Sequence, residues 1–309
     1  MAETTKRKVL FILSPGYTGS TLLTLLMATH PDVATIGERR ALSHRIKEVG
    51  NLKNRCMCRQ VVPECAYVSA AYEAGRRALP FYLRGVSYTR FKMSNNPRLN
   101  HIAFRLAQVT DFGQGRDMMT RWVSSPYRRV CAANVALMDF VMEAEGARVF
   151  LDASKNPSDV RHMKASGLFD VTVIDLSRDG RGRFYSLLNR HPWLTIEEAA
   201  QSVRQLHERQ KEFLAEWEGP VIHVRYEELC RRPLDELRRI AVEAELDPNG
   251  MSLDFPRSCE HCIGNENVVH AKSKEIRNQE LWRTNLAAEM LAVFERIAGE
   301  SNRSFGYTD

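Results

Sequence analysis

A short segment near the start of the chain combines glycines with hydroxyl side chains. Residues 14–21 read Ser-Pro-Gly-Tyr-Thr-Gly-Ser-Thr and lie between an apolar run and a leucine-rich run. Gly16 and Gly19 permit a tight turn and a close approach of the backbone to a ligand. Where such a turn leads into a helix, the free N–H groups of the first helical turn bind phosphate or sulfate. The segment therefore predicts an anion site, to which three hydroxyl groups would also donate: Thr18, Ser20 and Thr21.

The same segment lacks the lysine of an ATP- or GTP-hydrolysing loop. The Walker A motif ends in Gly-Lys-Ser/Thr, and its lysine contacts the terminal phosphates. In this chain Gly19 is followed by Ser20. A fold related to the P-loop proteins is expected, whereas a nucleotide kinase or hydrolase is disfavoured.

A second anion-binding pattern occurs later in the chain. Residues 178–186 read Arg-Asp-Gly-Arg-Gly-Arg-Phe-Tyr-Ser and follow an apolar run. An arginine at a strand end and a serine on the next helix can converge on one anion, because guanidinium offers a planar fork and the hydroxyl a short donor. We predict that Arg178 and Ser186 hold one phosphate of a nucleotide and that the first loop holds its other end. The alternative is a plain surface cluster of arginines.

Strands and helices alternate along the sequence that carries these patterns. Continuous apolar runs of strand length, typical of strands buried on both faces, occur at residues 8–14, 147–152, 169–176 and 221–225. Helical periodicity follows the first of them and also covers residues 132–145, 195–217 and 234–244. Such alternation predicts an α/β fold, a P-loop-NTPase-like parallel sheet flanked by helices.

Residues 66–127 differ from the rest, because they are mostly helical or irregular and are interrupted by prolines and glycines. We interpret them as an inserted helical cap that shapes an acceptor pocket. No linker-like segment divides the 309 residues, so residues 1–309 are predicted to form a single domain.

The chain is mildly basic. Its formal net charge is +6 and its isoelectric point is about 9.0. The basic residues are spread from end to end, without an arginine-rich tail or a nucleic-acid module, so a small, multiply phosphorylated ligand fits better than DNA or RNA. A signal peptide and a membrane span are not recognisable in the sequence, and we expect a cytoplasmic protein, which could form a homodimer.

Several sequence blocks resemble the PAPS-dependent sulfotransferases, where PAPS is 3′-phosphoadenosine 5′-phosphosulfate. The opening block runs from Thr-Gly-Ser-Thr-Leu-Leu at 18–23 through His-Pro-Asp-Val at 30–33 to Gly37-Glu38. Later blocks at 151–155, 173–186 and 224–233 fit in order, as do Gly264-Asn265 and residues 282–286. The ordered set is most similar to the bacterial branch, and its layout is like that of the tyrosylprotein and carbohydrate sulfotransferases.

The resemblance implies a donor, PAPS, a product, adenosine 3′,5′-bisphosphate (PAP), and a fold that matches the one predicted above. The acceptor would be a small molecule or a carbohydrate, with a peptide also open. The resemblance assigns the 3′-phosphate to Arg178 and Ser186. It assigns the 5′-phosphosulfate to the first loop, namely Gly16, Tyr17, Thr18, Gly19, Ser20, Thr21 and Leu22.

The same resemblance suggests the catalytic residues. Glu38 stands where this branch places the carboxylate proposed as the general base, and Lys155 stands at the end of the second predicted strand, close to the site. Lys272, Lys274 and Arg277 would close over the nucleotide. Transfer would need no metal, because sulfate carries less charge than a terminal phosphate and protein donors can stabilise it.

One position departs from the family pattern. Tyr17 occupies the place of an arginine or lysine that contacts the sulfate or the bridging oxygen. Loss of such a donor costs a factor of roughly a hundred to a thousand in rate where oxyanion-hole donors have been removed. Lys155, Arg39, Arg40 or the Tyr17 hydroxyl could replace it. A catalytically impaired binder of PAP or PAPS is therefore a second hypothesis, and a P-loop nucleotide kinase is a third.

The seven cysteines raise the question of a metal. Cys56, Cys58 and Cys65 form one group, and Cys259 and Cys262 form a Cys-x-x-Cys, with His261 and His270 nearby. If the groups met in space, a structural zinc or a disulfide could join the cap to the C-terminal loop. Cys-x-Cys is not the usual half of a zinc ribbon, however, and free thiols are the first expectation in a reducing cytosol.

Overall fold

The computed structural model describes residues 6–94, 96–109, 118–255, 260–265, 268, 275–278 and 280–308. Within these ranges a five-stranded, all-parallel sheet forms the centre of the molecule, with the strand order β2-β3-β1-β4-β5. The strands are β1 (Arg7–Leu13), β2 (Val33–Ala34), β3 (Val149–Asp152), β4 (Phe169–Ser177) and β5 (Val221–Arg225). The predicted parallel α/β sheet flanked by helices is therefore confirmed.

The central strand is β1, which pairs with β3 on one side and with β4 on the other. Leu10 lies opposite Leu151 of β3 and Thr172 of β4. Alternate residues of β1 enter opposite cores, because successive side chains point to opposite faces of a strand. Phe11 packs into the cluster formed with helices between β2 and β3, and Ile12 packs into the cluster formed with the first helix. Both side chains are fully buried, which explains the continuous apolar run.

Helices cover both faces of the sheet. They are α1 (Ser20–Met27), α2 (Leu42–Arg45), α3 (Ala66–Arg77), α4 (Pro97–Val109), α5 (Met118–Glu145), α6 (Pro157–Ser166), α7 (Gly180–Arg190), α8 (Ile196–Glu216), α9 (Tyr226–Arg231), α10 (Pro233–Glu243), α11 (Trp282–Asn285) and α12 (Ala288–Ser304). None of the helices in the described ranges is both long enough and apolar enough to pass through a lipid bilayer.

The predicted cap region, residues 66–127, contains α3, α4 and the beginning of α5. Its expected end at residue 127 lies inside α5, which continues without a break to Glu145 and contains Pro126. Buried residues of this region, such as Val68 and Phe91, pack in the same hydrophobic cluster as Val9 of β1. The region is thus packed onto one face of the sheet through a shared core.

The strand order brings the functional segments to one edge. Because all strands are parallel, their carboxyl ends meet at the same edge of the sheet, which is where ligands bind in open α/β folds. The loop after β1, the turn after β3, the start of α7 after β4 and the start of α9 after β5 all lie there.

Candidate active site

The loop between β1 and α1 is shaped by a glycine that no other residue could replace without strain. Gly19 has a φ of 88°, in the left-handed region that disfavours side chains. A Cβ atom at this position would also lie 2.3 Å from Cδ2 of the Tyr226 ring. Both constraints allow the backbone at Gly19 to lie directly against the Tyr226 ring.

The N-terminus of α1 has the features of an anion site. Among the described residues, no side chain caps it. The amides of Ser20, Thr21 and Leu22 occupy the first turn, where N–H groups lack partners within the helix. These groups and the positive end of the helix dipole are available to an anion at the edge of the sheet.

The loop hydroxyls do not all face the same point, which corrects the prediction for Thr18. Its hydroxyl is buried and donates to the carbonyl oxygen of Pro15 at 2.8 Å, so its proton is already committed. The Thr21 hydroxyl oxygen instead accepts the amide of Asn265 at 3.2 Å, and its own proton can still be donated. The buried hydroxyl of Ser14 has no partner among the described residues, and sequence reasoning did not single it out.

Two arginines from the segment after β4 hold the backbone of this loop. Arg178 Nη1 donates to the Tyr17 carbonyl oxygen at 3.0 Å, and Arg183 Nε donates to the Gly16 carbonyl oxygen at 3.0 Å. Arg183 is buried, and burial lowers its pKa to about 10. Arg183 was not predicted, because nothing in its spacing separates it from the neighbouring arginines.

The Tyr17 side chain points toward the end of α7. Its hydroxyl shares a hydrogen bond of 2.8 Å with His191 Nε2, and the two rings meet edge to face. Tyr17 has a φ of 68°, a left-handed conformation that is uncommon for a residue with a side chain. The loop therefore carries backbone strain at the position where the family resemblance places a cation.

The predicted 3′-phosphate residues line one cavity of about 160 Å³. Arg178 stacks its guanidinium on the Tyr226 ring, 4.6 Å from the ring centre, and the Ser186 hydroxyl donates to the Gly182 carbonyl oxygen at 2.9 Å. Arg277 lines the cavity from the C-terminal segment and forms an ion pair with Glu275. The lining residues are Arg178, Gly182, Tyr185, Ser186, Tyr226, Arg277, Leu281 and Trp282.

Tyr226 contacts both Gly19 and Arg178, and so joins the cavity to the first loop. It is the first residue after β5, and the rule that ligands bind at the carboxyl ends of strands could have identified it. Lys272 and Lys274 lie outside the described residues.

The two predicted catalytic residues form an ion pair. Lys155 Nζ lies 2.5 Å from Glu38 Oε1, and both side chains are partly accessible. Lys155 adopts a φ of 63° just after β3, and the turn before Glu38 pairs with the same strand end because the Ala153 amide donates to the Gly37 carbonyl oxygen. The structure therefore brings Glu38 and Lys155 together at the edge of the sheet where the first loop lies.

The C-terminal segment connects this ion pair with the first loop. The Glu38 amide donates to the Ile263 carbonyl oxygen at 2.9 Å, while the Asn265 amide donates to the Thr21 hydroxyl. Two residues of extended chain span at most about 7 Å. The segment from Ile263 to Asn265 therefore holds the backbone of Glu38 close to the start of α1.

Arg39 does not fit the role of a substitute cation. Its guanidinium is fully buried, 2.7 Å from Asp152 and 3.0 Å from Asp159, and it also donates to Asn134. Arg40 pairs with the other oxygen of Asp159. Burial, opposed by both arginines, raises the pKa of Asp159 to about 6. Of the cations considered from the sequence, Lys155 is the one placed beside Glu38.

Comparison with known proteins adds a family to this geometry. Residues 10–248 match the profile of the sulfotransferase family. The fold is similar to the sulfotransferase domain from the Synechococcus PCC 7002 olefin synthase, with a TM-score of 0.51 and 18% identity over 100% of this chain and 98% of that one. It is also similar to the sulfotransferase domain from the curacin biosynthetic pathway, with a TM-score of 0.50 and 15% identity over 96% and 98%. A search of curated proteins gives no match.

Proposed function

The chain belongs to the sulfotransferase family, and we propose that it transfers a sulfuryl group from PAPS to a hydroxyl or amine of a small-molecule or carbohydrate acceptor. The observation that supports this donor best is the contact of Arg178 with the first loop. Through this contact the anion site at the start of α1 and the cavity at Arg178, Ser186 and Arg277 become parts of one surface. A ligand with phosphate groups at two ends of a nucleoside matches such a surface.

Each end of the donor would find different chemistry. The 5′-phosphosulfate would lie on the amides of Ser20, Thr21 and Leu22, where the helix N-terminus favours negative charge. The 3′-phosphate would meet the fork of Arg178, and the Ser186 hydroxyl could donate to it after rotating away from the Gly182 carbonyl oxygen. The Tyr226 ring, already stacked on Arg178, offers an apolar surface between the two ends.

The reaction would be an in-line displacement at sulfur. The bond between sulfur and the bridging phosphate oxygen breaks, the bond between sulfur and the acceptor oxygen or nitrogen forms, and PAP leaves. Glu38 would accept the acceptor's proton. Lys155, paired with Glu38, would orient that carboxylate and offer positive charge to the transferred group. Fixed protein donors would take the part that Mg²⁺ plays in phosphoryl transfer.

Tyr17 supports a second candidate, a protein that binds PAP or PAPS but transfers sulfate poorly. The expected cation is missing at this position, and the Tyr17 hydroxyl is engaged with His191. In the sulfotransferase that we favour, Lys155 supplies the charge instead. The two functions differ in turnover and share the nucleotide site.

Two measurements on the full-length chain test the proposal. Isothermal titration with PAP in the presence of EDTA should show saturable binding, whereas ATP with Mg²⁺ should bind far more weakly. Incubation with ³⁵S-labelled PAPS and a panel of small alcohols, amines and oligosaccharides should then label an acceptor. PAP binding without labelling would favour the impaired binder, and tight ATP–Mg²⁺ binding without PAP binding would favour a kinase and overturn the proposal.

A further inference from the structure

Four potential metal ligands meet at the base of the segment that leads into α3. They are the thiols of Cys56, Cys58 and Cys65 and the imidazole of His261, and their ligand atoms all lie within 4.8 Å of one another. Cys58 Sγ lies 3.7 Å from Cys65 Sγ, and Cys65 Sγ lies 3.4 Å from His261 Nδ1. His261 follows Cys65 by 196 residues of sequence, so the fold has assembled this group.

These distances match a tetrahedral metal site better than they match a disulfide. Around a zinc ion, with sulfur at about 2.3 Å and nitrogen at about 2.0 Å, two sulfur ligands lie about 3.8 Å apart and a sulfur and a nitrogen about 3.5 Å apart. A disulfide requires its sulfur atoms to lie about 2.05 Å apart. The spacings at Cys65 are thus those of neighbouring vertices of one tetrahedron.

The three cysteines stand on a tight turn and at the start of a helix. The turn carries Cys56 and Cys58, with the Cys56 amide donating to the Gln60 carbonyl oxygen and the Arg59 amide donating to the Cys56 carbonyl oxygen. Cys65 is the N-cap residue of α3.

The His261 ring lies against an aromatic side chain. The Tyr67 ring stacks on the His261 ring at 4.6 Å between centres, with an angle of 12° between the ring planes. This contact limits tilting of the imidazole, whose Nδ1 faces Cys65 Sγ.

We propose that Cys56, Cys58, Cys65 and His261 bind a structural Zn²⁺ ion. Three thiolates and one imidazole are a ligand set that zinc prefers, and all four ligand atoms lie within 4.8 Å of one another. Four protein ligands leave no position for water, so the ion would stabilise the fold without taking part in the transfer.

The site differs from the one considered in the sequence analysis. The Cys-x-x-Cys does not supply the second half, because the described cluster excludes Cys262, which is buried in the core formed with α1 and α10. Cys259 and His270 lie outside the described residues. The spacing of the cysteines in the sequence disfavours a zinc site, whereas the position of His261 beside the three cysteines favours one.

Zinc at this position would hold the C-terminal segment against the active site. His261 lies two residues before Ile263, whose carbonyl oxygen accepts the Glu38 amide, and the Met57 amide donates to the Cys262 carbonyl oxygen at 3.1 Å. The metal would therefore join the cysteine turn to the segment that positions Glu38. The proposal that the chain binds zinc does not depend on the proposed function. The expectation that zinc loss impairs sulfuryl transfer does depend on it.

Elemental analysis of the full-length chain, expressed with added zinc and desalted without chelator, tests the site directly. We expect about one zinc per chain, released on addition of a thiol-specific mercurial and measured with a zinc-binding dye. Cys58→Ser and His261→Ala should each lower the stoichiometry severalfold. Cys131→Ala, which removes a buried thiol outside the cluster, should retain the full zinc content.

A second readout protects the test against variants that fail to fold. The wild-type chain, stripped of zinc and loaded with Co²⁺, should show thiolate-to-cobalt charge-transfer absorption and the strong d–d bands of tetrahedral cobalt. If the folded wild-type chain, stripped of zinc and then given Co²⁺, shows no such spectrum, the proposal is overturned. A disulfide between cluster cysteines found by mass spectrometry would also overturn it. A zinc-loaded chain without sulfuryl transfer would overturn the proposed function and leave the metal site standing.

Discussion

Arg178 donates a hydrogen bond of 3.0 Å to the backbone carbonyl oxygen of Tyr17. The bond connects the end of β4 with the loop after β1, two neighbouring strands whose carboxyl ends lie side by side. The same guanidinium stacks on Tyr226 and lines the cavity that also contains Ser186 and Arg277. One side chain thus takes part in the geometry of both ends of the proposed nucleotide site.

Replacement of Arg178 should weaken PAP binding strongly. Arg178→Ala removes a charge-assisted contact to the 3′-phosphate and the support of the Tyr17 carbonyl, and we expect a rise in Kd of about 10- to 100-fold. Arg178→Lys should recover part of this loss, because the charge returns without the planar fork. Titration calorimetry with PAP measures the Kd of both variants. Arg204→Ala, which removes an exposed arginine of α8, is the control, and an unchanged Kd for Arg178→Ala would refute the assigned role.

Gly19 should be intolerant of a side chain for two separable reasons. Gly19→Ala incurs the left-handed penalty and drives Cβ into the Tyr226 ring. Gly50→Ala is a matched control, because Gly50 has a φ of 77° and no atom within 4 Å of the place that a Cβ would take. We expect a loss of unfolding free energy of about 1 kcal/mol for Gly50→Ala and at least about 2 kcal/mol for Gly19→Ala in urea titrations. Equal losses would show that Tyr226 does not constrain the loop.

The Glu38–Lys155 pair should affect turnover more than nucleotide binding. Glu38→Gln removes the proposed base and should lower kcat by about 10²- to 10⁴-fold, with the Kd for PAP nearly unchanged. Lys155→Met should lower kcat by about 10²- to 10³-fold, if its charge replaces the cation missing at Tyr17. The kcat values of both variants are measured with labelled PAPS and the acceptor that the labelling experiment identifies.

A surface ion pair provides the control for these variants. Lys164 pairs with Glu218 at 2.9 Å in an exposed position on α6. Lys164→Met should leave kcat within a factor of about two, because exposed pairs contribute little to stability and this one lies away from the site. If Glu38→Gln turned over as fast as Lys164→Met, the proton acceptor would have to be another group.

Stability should fall on mild acidification because of His207. Burial, together with the charge of Arg183, lowers the pKa of His207 to about 4. The unfolded chain binds a proton near pH 6.5 and the folded chain does not, so unfolding becomes easier as the pH falls from about 6.5 toward 4. Between pH 7.5 and 5 this histidine alone should remove about 2 kcal/mol.

Urea denaturation at the two pH values checks this expectation. His207→Gln should show a smaller difference in unfolding free energy between pH 7.5 and 5 than the wild type. His101→Gln, which changes an exposed histidine of α4, should behave like the wild type. An identical pH dependence in His207→Gln would mean that His207 titrates normally in the folded chain.

The sequence predicted the parts of the fold that local patterns determine. β1, β3, β4 and β5 were recognisable because strands buried on both faces are continuously apolar. β2 was not, since Val33–Ala34 is too short for any periodicity. The predicted end of the cap at residue 127 has no local counterpart in the structure, because α5 crosses it without interruption.

Parts of the site that depend on long-range contacts could not be predicted. Arg39 and Arg40 are equivalent in sequence, but the fold buries only Arg39 completely, beside Asp152 and Asp159. Likewise, nothing local indicates that His261 lies beside Cys65 or that Arg183 holds a loop carbonyl.

The contact of the Asn265 amide with the Thr21 hydroxyl has a consequence for synthesis. Asn265 is translated 244 residues after Thr21, and Ile263 likewise is translated long after Glu38. A nascent chain that stops before this point cannot complete the pocket, even if its sheet has formed. Activity should therefore appear only after residue 265 has been translated and its segment has folded back onto α1.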